Sequence, residues 1–100
     1  MQINISARHG HLSPGTQERI TEKVEAVRKF YDRLTSIQVI ADLSHRESPS
    51  VEITATAEHH DPFVALMQGD SVLAALDGAV DKLEQQLRKH KERLKDHKAS

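Results

Sequence analysis

The sequence predicts an α+β fold in the order β-α-β-β-β-α: a four-stranded mixed sheet with two helices on one face. Three observations predict it. Apolar and polar residues alternate in strand-like runs at four places, two longer stretches carry apolar residues at helical spacing, and Gly, Pro, Asp and Ser cluster between them. The 100 residues, 37% hydrophobic and 3% aromatic, suit one domain over residues 1–100 with a small core of Ile, Val, Leu and Ala.

The opening "QINISAR" sets Ile3, Ile5 and Ala7 on one face and Asn4, Ser6 and Arg8 on the other, a strand with one buried side. "HLSPG" ends it. Ser13 before Pro14 starts a helix, with Ser13 as N-cap and Pro14 at the first helical position. Ile20, Val24, Val27 and Tyr31 recur at i, i+4, i+7 and i+11 and form its buried stripe. "TSIQVIADL" alternates again through Ile37, Val39, Ala41 and Leu43. After the loop "SHRESPS", "VEITATAEH" alternates Val51, Ile53, Ala55 and Ala57 against Glu52, Thr54, Thr56 and Glu58. The turn "HDP" is too short for anything but an antiparallel return into "FVALMQ". Asp70 or Ser71 caps a last helix expected over about residues 71–96, roughly 40 Å long at 1.5 Å per residue.

Leu76, Val80, Leu83, Leu87 and Leu94 make the apolar stripe of that helix, and a small sheet cannot cover all of it. Residues 90–100 are therefore expected to overhang as a basic helix end. Both helices have a single stripe, so both belong on one face of the sheet. The other face is expected to show Asn4, Ser6, Gln38, Asp42, Glu52, Thr54 and Thr56 to water.

Several function classes find no support. Without cysteine there is no disulfide, thiolate nucleophile or Cys-based zinc site. The pairs His9/His11 and His59/His60 lack the spacing of a metal motif and read as loop histidines. Asp77 and Asp81 share a helix face but read as a solvated edge near a helix N-terminus. No nucleophile elbow or phosphate-cradling Gly-rich loop is present. The expectation is a non-enzyme with no catalytic residues, metal, cofactor or small-molecule substrate. The amino terminus has neither the basic nor the apolar region of a signal peptide, and no apolar run reaches the roughly 20 residues of a membrane span. A soluble cytoplasmic protein without a membrane partner is expected.

The net charge of −1 conceals an asymmetry. Residues 1–81 hold seven Lys and Arg against twelve Asp and Glu, a balance of −5; residues 82–100 hold seven against three, a balance of +4. Composition leaves two readings open: a polyanionic partner, or cations placed at the negative end of a helix dipole. At 100° per residue, Lys82, Lys89 and Arg93 fall in one narrow sector away from the leucines, with Gln86 beside them. Arg88 and Lys95 form a second row, with Lys91 and Lys98 nearby. A rigid row of cations can follow a phosphate backbone. The scarcity of aromatics argues against reading bases in single strands and for recognising the shape of a folded RNA.

The segment "AALDGAVDKLEQQLRKHKERLKDH", with "FYDRLTSIQV" and the opening "MQINISARH", resembles the short-form ribosome hibernation promoting factor family, which includes the ribosome-associated inhibitor. The resemblance covers essentially the whole chain, and Asp77–Lys91 is its most specific part. It implies a fold similar to double-stranded RNA-binding domains. It also implies binding to the small ribosomal subunit in the mRNA and tRNA channel near the A and P sites, which inhibits translation and preserves idle ribosomes in stationary phase or stress. Carried over by position, the residues that contact ribosomal RNA would be Lys82, Gln86, Arg88, Lys89, Lys91 and Arg93 of the last helix. Lys23, Arg28 and Lys29 of the first helix, and Arg8 at the end of the first strand, would add to them. The family often has an aromatic near the start of the last helix; Leu73 stands there instead. The chain ends at Ser100, so pairing of ribosomes would need a separate dimerising factor. The alternative readings are a protein-binding modulator of an alternative sigma factor and a module that self-associates through the last helix.

Overall fold

The computed structural model describes residues 1–99, with side chains through Arg93. The elements follow the expected order: β1 (Gln2–Arg8), α1 (Pro14–Phe30), β2 (Leu34–Asp42), β3 (Ser50–Ala57), β4 (Phe63–Gln68) and α2 (Val72–Ala99). In space the strands lie β1-β2-β3-β4. β1 pairs parallel with β2, and the other two pairings are antiparallel, so the sheet is mixed. Both helices cover one face: α2 crosses β3 and β4, and α1 lies beside α2 toward β1.

The helix starts have local causes. The Ser13 hydroxyl accepts from the Thr16 N–H at 3.2 Å, and Pro14 fills a first-turn position where no N–H is needed. Of the two candidate caps for α2, Ser71 serves: its Oγ accepts from the Ala74 N–H at 3.1 Å and its carbonyl from the Ala75 N–H at 2.9 Å. The turn before it is tight. A Cβ on Gly69 would stand 2.6 Å from the Ala75 nitrogen, so only glycine fits there.

The covered face buries Ile37, Val39, Ala41, Val51, Ile53, Ala55, Phe63 and Ala65 against Ile20, Val24, Val27 and Tyr31 of the α1 end and Ala75, Leu76, Ala79, Val80, Leu83 and Leu87 of α2. Both predicted helical stripes are thus in the core. Leu94, the last residue of the expected α2 stripe, has its side chain outside the described ones, as do Lys95 and Lys98.

Two details differ from the sequence reading. Leu34 is buried although Thr35 continues the alternation of β2, because the register slips between Leu34 and Ser36. Such a bulge reverses the inward and outward parity. The slip starts the strand on a core leucine instead of a threonine. Second, the open face is not wholly polar. Val64 and Leu66 are 48% and 54% exposed, and Ile40 stands half-buried in the same row as Leu66.

Candidate nucleic-acid interface

α2 lies against β4 closely enough to make one flank of the helix a partner of the sheet edge. A Cβ on Gly78 would come within 2.6 Å of Met67 Cγ, so this glycine sets the close approach. The helix runs antiparallel to β4. Lys82 Nζ donates to the Leu66 carbonyl (3.1 Å), and one turn later Gln86 Nε2 donates to the Val64 carbonyl (2.8 Å). β4 is a terminal strand whose outward carbonyls would otherwise be open to another strand, and a lysine at such an edge discourages that pairing. Lys89 and Arg93 continue this flank and are exposed.

Arg88 and Lys91 occupy the opposite flank, toward the end of α1. Lys91 Nζ donates to the Phe30 carbonyl (3.2 Å), near the negative end of the α1 dipole. The same ammonium lies 4.7 Å from the Phe30 ring centroid, and the Arg88 guanidinium carbon lies 5.9 Å from it. Interactions of this kind contribute about 0.5–1 kcal/mol at exposed sites. His90 and Lys91, assigned by sequence to an overhanging end, are therefore in contact with the body. His90 packs edge-on against Tyr31 and Phe63.

Two ion pairs form among the described residues, and both use α1 cations. Lys23 Nζ lies 3.1 Å from Asp77 Oδ1, and Arg28 Nε lies 2.8 Å from Glu25 Oε2. Exposed pairs such as these are worth at most about 1 kcal/mol and give way readily to a stronger anion. Lys82, Arg88, Lys89 and Lys91 have no carboxylate partner among the described residues. Among the described residues these four cations are thus unneutralised, in two rows separated by the buried leucines.

The expected RNA-contacting residues fall into three places. Lys82, Gln86, Lys89 and Arg93 line the β4 flank. Arg88 and Lys91 gather at the end of α1, where Arg28 and Lys29 are exposed, and Lys23 sits farther back on α1, tied to α2 through Asp77. Arg8 stands apart. It belongs to the open-face set of β1 and lies in register with Asp42 of β2. The Ser44 backbone N–H donates to Asp42 Oδ1 at 3.0 Å and holds that carboxyl below its ordinary range, so Arg8 has a carboxylate for a neighbour. No polar or charged side chain is buried among the described residues, and none of them form a cluster of three metal-ligating groups.

Sequence reasoning passed over one group. His60, exposed in the β3–β4 turn, stacks flat on Phe63 (centroids 4.4 Å apart, planes 7° apart), and His90 of α2 meets His60 edge-on at 4.5 Å. Burial, followed by the charges of His60, Arg93 and Arg33, pushes the His90 imidazole below its ordinary value. The helical wheel places His90 next to the leucine stripe, a signal that it contacts the body; its partner across 30 positions has no local signature.

A β-α-β-β-β-α domain with two helices on one face is a known architecture. The chain shares its fold with a ribosomal subunit interface protein from Coxiella burnetii (TM-score 0.83, 22% identity, 92% of this chain and 99% of that one). It also shares it with the N-terminal domain of Thermus thermophilus Protein Y (TM-score 0.77, 20% identity, 90% of this chain and 99% of that one). Over residues 3–95 the sequence matches the family described as "Sigma 54 modulation protein / S30EA ribosomal protein", and the chain belongs to that family. It is 33% identical to a ribosome hibernation promoting factor of Pseudomonas putida over 93% of this chain and 89% of that protein. It is 29% identical to the ribosome hibernation promoting factor of Escherichia coli over 97% of this chain and all of that protein. The fold class and the short-form hibernation factor kinship expected from sequence therefore hold.

Proposed function

We propose that residues 1–100 act as one ribosome-binding unit in the cytoplasm. It occupies the mRNA and tRNA channel of the small subunit near the A and P sites, inhibits translation, and preserves idle ribosomes in stationary phase or stress. The carrying observation is that Lys82, Arg88, Lys89 and Lys91 of α2 have no carboxylate partner among the described residues, on a chain whose first 81 residues are net negative. The names of the relatives direct the choice of polyanion: hibernation factors and a subunit interface protein.

In this reading the two rows of α2 grip phosphates. Lys82, Lys89 and Arg93 act on the β4 flank with Gln86 beside them, and Arg88 and Lys91 act at the α1 end with Arg28 and Lys29. Arg28, Lys23 and Arg8 join only by exchanging or sharing their carboxylate neighbours, so they contribute least. Each phosphate neutralised releases counterions, and the binding free energy is largely that release. Occupancy alone blocks translation, with no bond made or broken. A separate ribosome-dimerising factor is a second proposed partner, alongside the small subunit. The sigma-factor alternative would use apolar contact, for which exposed Val64 and Leu66 are the available surface.

A purified translation system tests the proposal. Inhibition should saturate near one protein per small subunit and be relieved by excess messenger and initiation factors. Inhibition at far below stoichiometric amounts, or a covalent change in ribosomal RNA, would overturn it.

A further inference from the structure

Four basic groups converge where the end of α1, the β3–β4 turn and the second half of α2 meet. His90 is the hub. Its ring is edge-on to Tyr31 at 5.8 Å, to Phe63 at 5.4 Å and to His60 at 4.5 Å. Among the described residues, the charges that act on it come from the three surrounding elements and are positive: Arg33 from the α1–β2 turn, His60 from the β3–β4 turn, and Arg93 from the next turn of α2. Glu92, two residues beyond His90, and Asp32 and Asp61, beside Arg33 and His60 in sequence, are exposed, and none of the three is among the charges acting on His90. Asp61 instead offers its backbone carbonyl, to which His60 Nδ1–H donates. That bond leaves His60 Nε2 as the free ring nitrogen, an acceptor while the ring is neutral and a donor once it is protonated.

We propose that Arg33, His60 and His90, with Arg93 beside them, form a binding site for a single phosphate group. The corner collects donors that a phosphate oxygen can accept from, and His60, Arg33 and Arg93 are exposed enough to reach one. It lies at the end of the Lys82–Gln86 flank, so a phosphate there extends the same track by one turn of α2. Resting on the ribosome-binding reading, the phosphate is one of the ribosomal RNA backbone; inorganic phosphate has the same chemistry and serves as its probe.

The site has a consequence that ordinary lysine–phosphate pairs lack. His90 is discouraged from charging by its burial and by the neighbouring His60 ring 4.5 Å away. An anion that accepts from both rings at their exposed edge offsets this repulsion, so anion and proton bind cooperatively. Affinity must then rise as pH falls through the imidazole range, by up to about tenfold per pH unit for each proton taken up.

Two measurements test this. In the first, carbon–proton NMR follows the seven histidine rings of the free protein while inorganic phosphate replaces chloride at constant ionic strength. The titration midpoints of His60 and His90 should move up and the other five should stay; if phosphate leaves both unmoved, or moves all seven alike, there is no site. In the second, binding to purified small subunits is followed from about pH 5.5 to 8. His60→Gln/His90→Phe, which keeps an aromatic ring in the packed position, should keep its fold by thermal melting and bind with a flatter pH dependence. Arg33→Gln should weaken binding most at low pH. A double variant that binds with the pH slope of the unmodified protein overturns the site and leaves the proposed function standing. If the unmodified protein binds no small subunits at any pH, the proposed function falls, and the phosphate titration alone decides the site.

Discussion

Leu83→Ala isolates the folding half of α2 from its binding half. Leu83 is 0% exposed and lies on the stripe that packs on the sheet, one residue after Lys82. Truncation removes three carbons, worth about 2.4 kcal/mol at ~0.8 kcal/mol for each buried CH2. The cavity left behind adds to this, because the surrounding core of β-branched residues relaxes only in part, bringing the cost to about 3–5 kcal/mol. A domain of this length shifts its Tm by roughly 4–8 °C per kcal/mol, so a fall of at least about 12 °C is expected. Circular dichroism melts measure it. Below the transition, where the variant is still folded, its binding to small subunits should match the unmodified protein, since no cation has moved. A fall under about 4 °C would show that Leu83 adds little to the core. A folded variant that no longer binds would show that the leucine face itself meets the partner, and either result refutes the division of the helix by face.

Other expectations follow from single side chains. Gly69→Ala places a Cβ against the Ala75 backbone, which cannot step aside, and should cost about 1–3 kcal/mol by denaturant titration. His90 sets a pH dependence of stability. Its folded-state value lies below the ordinary 6.5, so the folded chain holds fewer protons than the unfolded one in that window. Its contribution is complete above the unfolded value and is lost as pH falls. Melts in phosphate-free buffer at about pH 7.5 and 5.5 should show the unmodified protein losing more Tm on acidification than His90→Phe.

Most of the fold was legible because its elements are locally consistent. Ser13-Pro14 both caps and starts α1, and the alternation of β3 leaves one choice of buried face. What was not legible depends on how elements meet. Leu34 enters the core only through a bulge, and the pattern through Thr35 gives no warning of a parity change. Val64 and Leu66 were visible as the outward positions of "FVALMQ", but the polar residues of the other strands concealed what they add to the open face. The cations of α2 could be read from helical spacing. That Lys82 and Gln86 also close the β4 edge, and that Lys91 also caps α1, follows from the depth to which Gly78 lets the helix approach. The same register brings His90 to His60. No local period encodes the sliding of a helix along a strand, so that pairing was out of reach.

The salt dependence of binding to purified small subunits, measured for the unmodified protein and for Lys82→Gln/Lys89→Gln/Arg93→Gln, tests the central claim most directly. All three sites are exposed and glutamine is a good helix former, so the fold should persist with Tm nearly unchanged. For the unmodified protein, affinity should fall steeply between about 50 and 200 mM salt. The triple variant should bind far more weakly, with a log–log slope flatter by about 2–3, since every cation withdrawn from a phosphate lowers the slope by about 1. The lower figure applies if Lys82 keeps its bond to the Leu66 carbonyl in the complex. A triple variant with the affinity and slope of the unmodified protein would contradict the account, leaving the charges of α2 as a solvated helix face.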